Sequence, residues 1–320
     1  MTTKRLLAIF AIVLCTGIAW FTLAGAIQFR TTNADSELSA AVVKNWGPVL
    51  VQEPPVFTYE APTPGLPPRE IYPTSSKIDV SLAYEPKQKG LLWYRTYLAD
   101  FHAEYRIKNP TPIAQTIYAA FSFPAADARY DAFTLTLGDK VTENPPVNGR
   151  IQQSLRLEPG QEVPLVVSYR AAGMNQWSYV LNKSPRVKQL QLAMKTNFAE
   201  INIPAGAESP TSRARDGEGW SLVWNYADVL GANAISMSMP SVTNPGEVAG
   251  RMTFFAPVSL LFFFSVLVVV GMKRGTNLHP MNYFFLAAGC FAFQLLFGYL
   301  ADLVSIFWCF LISSSVSLLL

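Results

Sequence analysis

Charge is missing from four long stretches of the chain. Positions 6–27, 252–272 and 280–301 contain no Asp, Glu, Lys or Arg, and a fourth uncharged stretch runs from 303 to 320. A helix of such length and composition crosses a hydrocarbon core about 30 Å thick. Between the first and second stretches the apolar period changes to two. Ile78, Val80, Leu82 and Tyr84 alternate with Asp79, Ser81 and Ala83. Tyr97, Ala99, Phe101, Ala103, Tyr105 and Ile107 then share one face opposite Asp100, His102, Glu104 and Arg106. That alternation is the mark of half-buried strands. Further strands are expected at 115–123, 132–137, 151–157, 163–169, 176–181, 189–194, 219–224 and 234–239. Turn residues such as Asn109-Pro110, Gly138, Asn148-Gly149 and Pro159-Gly160 separate them. Many short strands at this spacing, with no long helical period among them, predict a β-sandwich.

The segment before the strands reads differently. Positions 31–44 carry Leu38, Ala41 and Val42 on one face and predict a short helix or stalk closed by Trp46-Gly47-Pro48. Eight prolines between 48 and 73 forbid a helix there and favour an extended strap.

Basic residues set the expected orientation. Lys4 and Arg5 precede the first apolar stretch, while Lys273 and Arg274 lie between the second and third. One topology puts both pairs in the cytoplasm. The fold expected is a mixed membrane protein divided as follows: a cytoplasmic N-terminus 1–5, a transmembrane anchor 6–27, a stalk and Pro-rich linker 28–75, and an exported all-β sandwich 76–245. Then come transmembrane helices 252–272, 280–301 and 303–320, with a cytoplasmic loop at 273–279. The alternative for 6–27 is a cleaved signal peptide, since Ala24-Gly25-Ala26 has the A-x-A form; its length favours an anchor. Asp302 marks an external turn and His279 the cytoplasmic start of a helix, where Asn277 or His279 caps and Pro280 sits in the first turn. The final stretch stops on apolar residues with no polar flank, so the chain reads as apparently truncated.

Composition narrows the function. Of 320 residues only 15% are charged and 50% are hydrophobic, with a net charge of +3. That excludes a disordered or nucleic-acid-binding chain and names the lipid bilayer as the first partner. Cys15, Cys290 and Cys309 all fall in apolar stretches, so the exported domain has no thiol and a single histidine, His102. No phosphate-binding glycine motif and no nucleophile elbow occurs. His102 with Glu104 offers at most two metal ligands, and Asp127 with Asp131 is a weak acid/base pair. No cofactor is expected, and no enzyme. Trp93, Tyr94, Tyr97 and Trp177 are the aromatic residues from which a glycan- or peptide-binding surface could be built; the alternative is that they fill the sandwich core.

A resemblance adds to this. Positions 278–289 (LHPMNYFFLAAG), followed by 293–300 (FQLLFGYL), the FAPVSLLFFF run at 255–264 and KGLLWY at 89–94 resemble the CreD family of bacterial inner-membrane proteins. The resemblance implies one N-terminal helix, a large periplasmic domain and a C-terminal helical bundle. It also implies a role in cell-envelope integrity, with founding genes beside a two-component sensor and regulator and an effect on colicin tolerance. No catalytic residue is implied. Two features depart from the family: Arg95 stands where proline is expected, and the family continues through further helices after Val304.

Overall fold

The structure is a computed structural model that describes residues 3–60, 67–90, 92–142, 146–182, 186–275, 278–301 and 303–319. Two compact units make it up: Met1–Ser39, Gln88–Trp93 and Thr243–Leu320 form one, and Ala40–Lys87 with Tyr94–Val242 the other.

The first unit is built from helices. α1 (Thr3–Trp46) runs from the first apolar stretch through the expected stalk without a break. α2 (Pro245–Arg274) and α3 (Pro280–Leu300) cover the second and third stretches. These three are long and apolar enough to cross a membrane; α4 (Ile306–Leu319) is apolar but shorter than the expected 303–320 span. α2 has proline in its first turn and ends on Lys273 and Arg274 before Gly275, whose φ of 68° closes the helix in the left-handed region. His279 caps α3 as expected: its Nδ1 accepts from the Met281 N–H at 3.3 Å, with Pro280 in the first turn. Asn277 and Asp302 lie outside the described residues.

Ile9 and Trp20 of α1, Leu260 and Phe264 of α2, and Tyr283 and Ala287 of α3 pack into one apolar cluster. Phe264 meets Tyr283 edge to face at 5.1 Å. The faces pointing away from such clusters are just as apolar: Phe10, Ile18, Phe255, Phe262, Val269 and Phe285 are exposed, Phe262 to 69%.

The second unit is built from strands in two layers. Its large sheet has eight strands in the order β10 (Lys140–Val141), β9 (Tyr130–Leu137), β12 (Glu162–Met174), β7 (Thr96–Lys108), β4 (Ser75–Tyr84), β14 (Arg186–Thr196), β16 (Gly219–Leu230) and β15 (Ser212–Asp216). Neighbours are antiparallel except β4 and β14. Two smaller sheets cover one face. A four-stranded sheet runs β11 (Arg150–Leu157), β8 (Gln115–Ser122), β2 (Val56–Tyr59) and β3 (Arg69–Ile71). A three-stranded sheet runs β1 (Leu50–Gln52), β13 (Gln176–Tyr179) and β17 (Ile235–Ser238). Outside these sheets a hairpin pairs β5 (Lys87–Lys89) with β6 (Leu92–Tyr94), and most of it, Gln88–Trp93, belongs to the first unit.

Aromatic residues fill the space between the layers. Phe101 stacks on Tyr169 within the large sheet, centroids 4.8 Å apart, and Phe121 of β8 reaches Tyr169 at 6.4 Å. Fully buried Gln52 ties three sheets together. It donates to the Ser122 carbonyl at 3.1 Å and accepts from the Tyr169 hydroxyl at 2.8 Å.

The Pro-rich strap is corrected by this architecture. Residues 48–73 supply β1, β2 and β3, and Leu50 and Phe57 are buried in the core. The β unit therefore begins well before residue 76. Three- and four-residue strands between prolines carry too few positions to show a period. Gly47 sets the geometry of entry. Its φ is +97°, and a Cβ there would lie 2.1 Å from the Ala172 carbonyl oxygen, so only glycine lets the chain pass β12 this closely.

Candidate functional site

The face of the large sheet turned away from the two small sheets carries the polar half of each alternating strand. Strand register places those residues in rows. Asp79 of β4, His102 of β7 and Ser168 of β12 stand directly opposite one another, with Ala193 of β14 beyond Asp79. The next row holds Arg170, Asp100, Ser81 and Lys195. Short side chains at Ser81, Ser168 and Ala193 sit among long ones, and the surface there sinks into a basin of about 370 Å³. Ala132 borders it at a β-bulge, where the pairing of β9 with β12 slips between Ser168 and Arg170. Its φ of 51° is uncommon for a residue with a Cβ and makes the bulge a specified feature.

The charges around the basin are mixed in sign. The Arg170 Nε donates to the Asp100 carboxylate at 2.6 Å, and that bond holds the guanidinium above its ordinary value. Ser168 Oγ lies 2.7 Å from His102 Nδ1. Lys195 approaches Asp216 only to 3.8 Å. Asp79 is exposed, and among the described residues no hydrogen bond joins it to His102. Ser168, His102 and Asp79 are the residue types of a hydrolytic triad. Yet their strands are flanked on both sides in the sheet, so the ladders occupy the backbone N–H groups that an oxyanion would need.

The aromatic residues proposed from sequence do not form a surface. Tyr97 is 1% exposed and donates its hydroxyl to the Gln176 carbonyl at 2.7 Å, Trp177 is 0% exposed, and Tyr94 is buried as well. Tyr97 and Trp177 are core, because each falls on the inward face of its strand. Trp93 alone is exposed, at 40%, and its backbone N–H is held by the Asn244 side chain at 2.8 Å. Glu104 is on the outward face with His102 but pairs with Arg106 at 3.0 Å. Among the described residues no three His, Cys, Asp or Glu side chains are grouped to hold a metal ion. Asp131 lies opposite Arg170 across the ladder, in a different structural setting from Asp127 in the preceding loop. Lys4 and Arg5 fall in the first turns of α1, and Lys273 and Arg274 in the last turn of α2.

Ser168, Arg170 and Lys195 were not visible as site residues in the sequence. Ser168 falls inside an expected strand, while Arg170 and Lys195 lie one residue past the ends expected for theirs, and only the strand order brings all three beside Asp79 and His102.

The helical unit holds a larger cavity of about 630 Å³ lined by residues of α1, α2, α3 and α4, mainly apolar ones such as Phe255, Leu260 and Phe293. Arg251, Ser259 and Gln294 are its main polar contributors.

Comparisons with known proteins assign no family. No family model matches the chain, and no curated protein does. Among solved structures the chain is similar to a candidate nutrient-binding protein from Legionella pneumophila, at 12% identity and a TM-score of 0.40, over 76% of this chain and 83% of that one. It is also similar to an M1 zinc metallopeptidase from Deinococcus radiodurans, at 10% identity and a TM-score of 0.35, over 52% of this chain and 42% of that one. Likeness of this degree assigns neither a fold nor a function. What the structure itself establishes is a long N-terminal apolar helix, a large central β region and C-terminal apolar helices.

Proposed function

We propose that this chain is a bacterial inner-membrane protein whose β domain lies in the periplasm and contributes to cell-envelope integrity without catalysing a reaction. One observation carries the membrane part: Phe10, Phe255, Phe262 and Phe285 point outward from apolar helices. Contiguous apolar surface of that kind is stable only against another apolar phase. Lys4, Arg5, Lys273 and Arg274 orient the helices with the N-terminus and the 273–279 loop inside. The resemblance to the CreD family supports the envelope role. So does the sequence of the β domain, whose one histidine and lack of cysteine leave little for a catalytic centre.

The experiment is complementation of a strain deleted for this gene, scored by survival under detergent, β-lactam and colicin-like challenge. The 320-residue chain is compared with a version lacking 47–242, a boundary that removes β1, β2 and β3 together with the rest of their sheets. Rescue by the chain and failure of the shortened form supports the reading. A deletion strain that behaves as wild type under all three challenges overturns it.

A second reading has an observation of its own. The basin beside Asp79, His102 and Ser168 is a concave surface of the size range in which small ligands bind, which fits a domain that captures a ligand and communicates with a membrane component.

A further inference from the structure

The basin on the large sheet has a charge pattern that specifies the class of molecule it fits. On its floor Ser81 and Ser168 offer hydroxyls, and Ala193 leaves room. The side chains of Phe101 and Tyr169 are buried on the other side of the sheet, so the floor has no aromatic face on which a sugar ring would stack. Arg170 and Asp100 satisfy each other at 2.6 Å. Two charges of opposite sign are left for a ligand. Asp79 has no hydrogen-bond or ion-pair partner among the described residues, and Lys195 is held only at 3.8 Å from Asp216. Ala193 stands opposite Asp79, and Lys195 lies two residues further along β14 on the same face. Strand spacing and rise then separate the two backbone positions by about 8 Å. Side chains leaning in from such positions bracket a small molecule carrying both an ammonium and a carboxylate.

We propose that this basin is a binding site for a short zwitterion, a free amino acid or a dipeptide. Its ammonium is held by Asp79 and its carboxylate by Lys195, with Ser81 and Ser168 supplying further hydrogen bonds. The proposal rests on the ligand-capture reading of the domain, and it deepens that reading by naming the ligand class. A polyanion is disfavoured by the two carboxylates of the basin. A metal ion is disfavoured because Asp100 is committed to Arg170 and His102 to Ser168.

The test is isothermal titration of the purified 320-residue chain in detergent with glycine, L-alanine, L-glutamate, L-lysine and alanyl-alanine at millimolar concentration. N-acetyl-L-alanine and L-alaninamide, which each lack one charge, are titrated beside them. The expected result is binding of at least one zwitterion, roughly tenfold weaker in Asp79→Asn and in Lys195→Gln. The losses pair with the analogues. Asp79→Asn no longer distinguishes the zwitterion from its N-acetyl form, and Lys195→Gln no longer distinguishes it from its amide. Both positions are exposed, so the variants keep the wild-type circular dichroism, and Ala193→Trp, which fills the basin, abolishes binding. No binding of any probe by the wild-type chain overturns the proposal, as does equal binding by both charge variants. Either failure leaves the envelope role untouched, because complementation under stress decides that separately.

Discussion

The hydroxyls of Tyr105 and Tyr179 meet at 3.1 Å in the sealed space between the large sheet and the three-stranded sheet, both residues being about 1% exposed or less. One hydroxyl donates to the other, and burial keeps both away from the protein surface. Tyr105→Phe therefore strands the Tyr179 hydroxyl and costs about 1–3 kcal/mol of stability. The double change to phenylalanine removes both polar groups together and costs less than the sum of the single changes. Chemical denaturation of the three variants reads this directly; additive losses would show that the pair is not coupled.

The same burial makes the β domain sensitive to alkali. Desolvation raises the phenols of Tyr97, Tyr105, Tyr169 and Tyr179 well above their ordinary value of 10.0, and pushes Tyr130 up to about 12. In the unfolded chain these groups ionise near the ordinary value. Above it the unfolded state releases protons that the folded state retains, and stability falls. The domain is expected to keep its full stability below pH 10 and to lose it progressively from about pH 10 to 12. Urea midpoints at stepped pH check it, and a flat profile across that window would contradict it.

Asn109, the turn residue after β7, is 1% exposed. Its Nδ2 donates to the carbonyls of Ile113, Leu157 and Glu158 at 2.9, 3.0 and 3.2 Å, and its Oδ1 accepts from the Thr111 N–H at 3.0 Å. Asn109→Asp keeps the shape and removes the donors, setting a carboxylate against three carbonyl oxygens. The expected loss is about 3 kcal/mol or more. Asn109→Ala should cost less, since it leaves unpaired carbonyls but buries no charge. An Asp variant as stable as the Ala variant would refute the reading.

Gly173 in β12 leaves space for the ring of Tyr97. A Cβ at this position would come within 2.6 Å of Tyr97 Cζ and 2.9 Å of Leu50 Cγ. The Tyr97 ring cannot swing aside without breaking its bond to the Gln176 carbonyl. Gly173→Ala is expected to destabilise by about 1–3 kcal/mol through overpacking. The melting temperature measures it, and an unchanged or raised value would count against it.

The long strands were legible because period two is a local signal. β4, β7, β8, β11 and β12 all carry it, and each expected strand overlaps an observed one. What escaped were elements too short to show a period. β1 and β2 have three and four residues between prolines, and the five residues of β15 are all exposed. The helix cap at His279 was readable from its neighbour Pro280. The basin was not, because it depends on β14 lying parallel beside β4, a pairing between residues more than a hundred positions apart such as Asp79 and Ala193. The aromatic residues left both surface and core open for a related reason. Trp177 and Tyr97 have the composition of a binding surface, and only the face of the strand decides between surface and core.

The claim that the β domain is exported is tested most directly by a single cysteine at Glu218, an exposed position between β15 and β16. Cys15, Cys290 and Cys309 are first replaced by serine so that Glu218→Cys is the sole thiol. Spheroplasts are treated with a membrane-impermeant maleimide, with Lys273→Cys in the same background as the cytoplasmic control. The prediction is that the thiol at position 218 is labelled in intact spheroplasts and the one at position 273 only after permeabilisation. Labelling of position 218 only after permeabilisation would place the β domain in the cytoplasm and contradict the account.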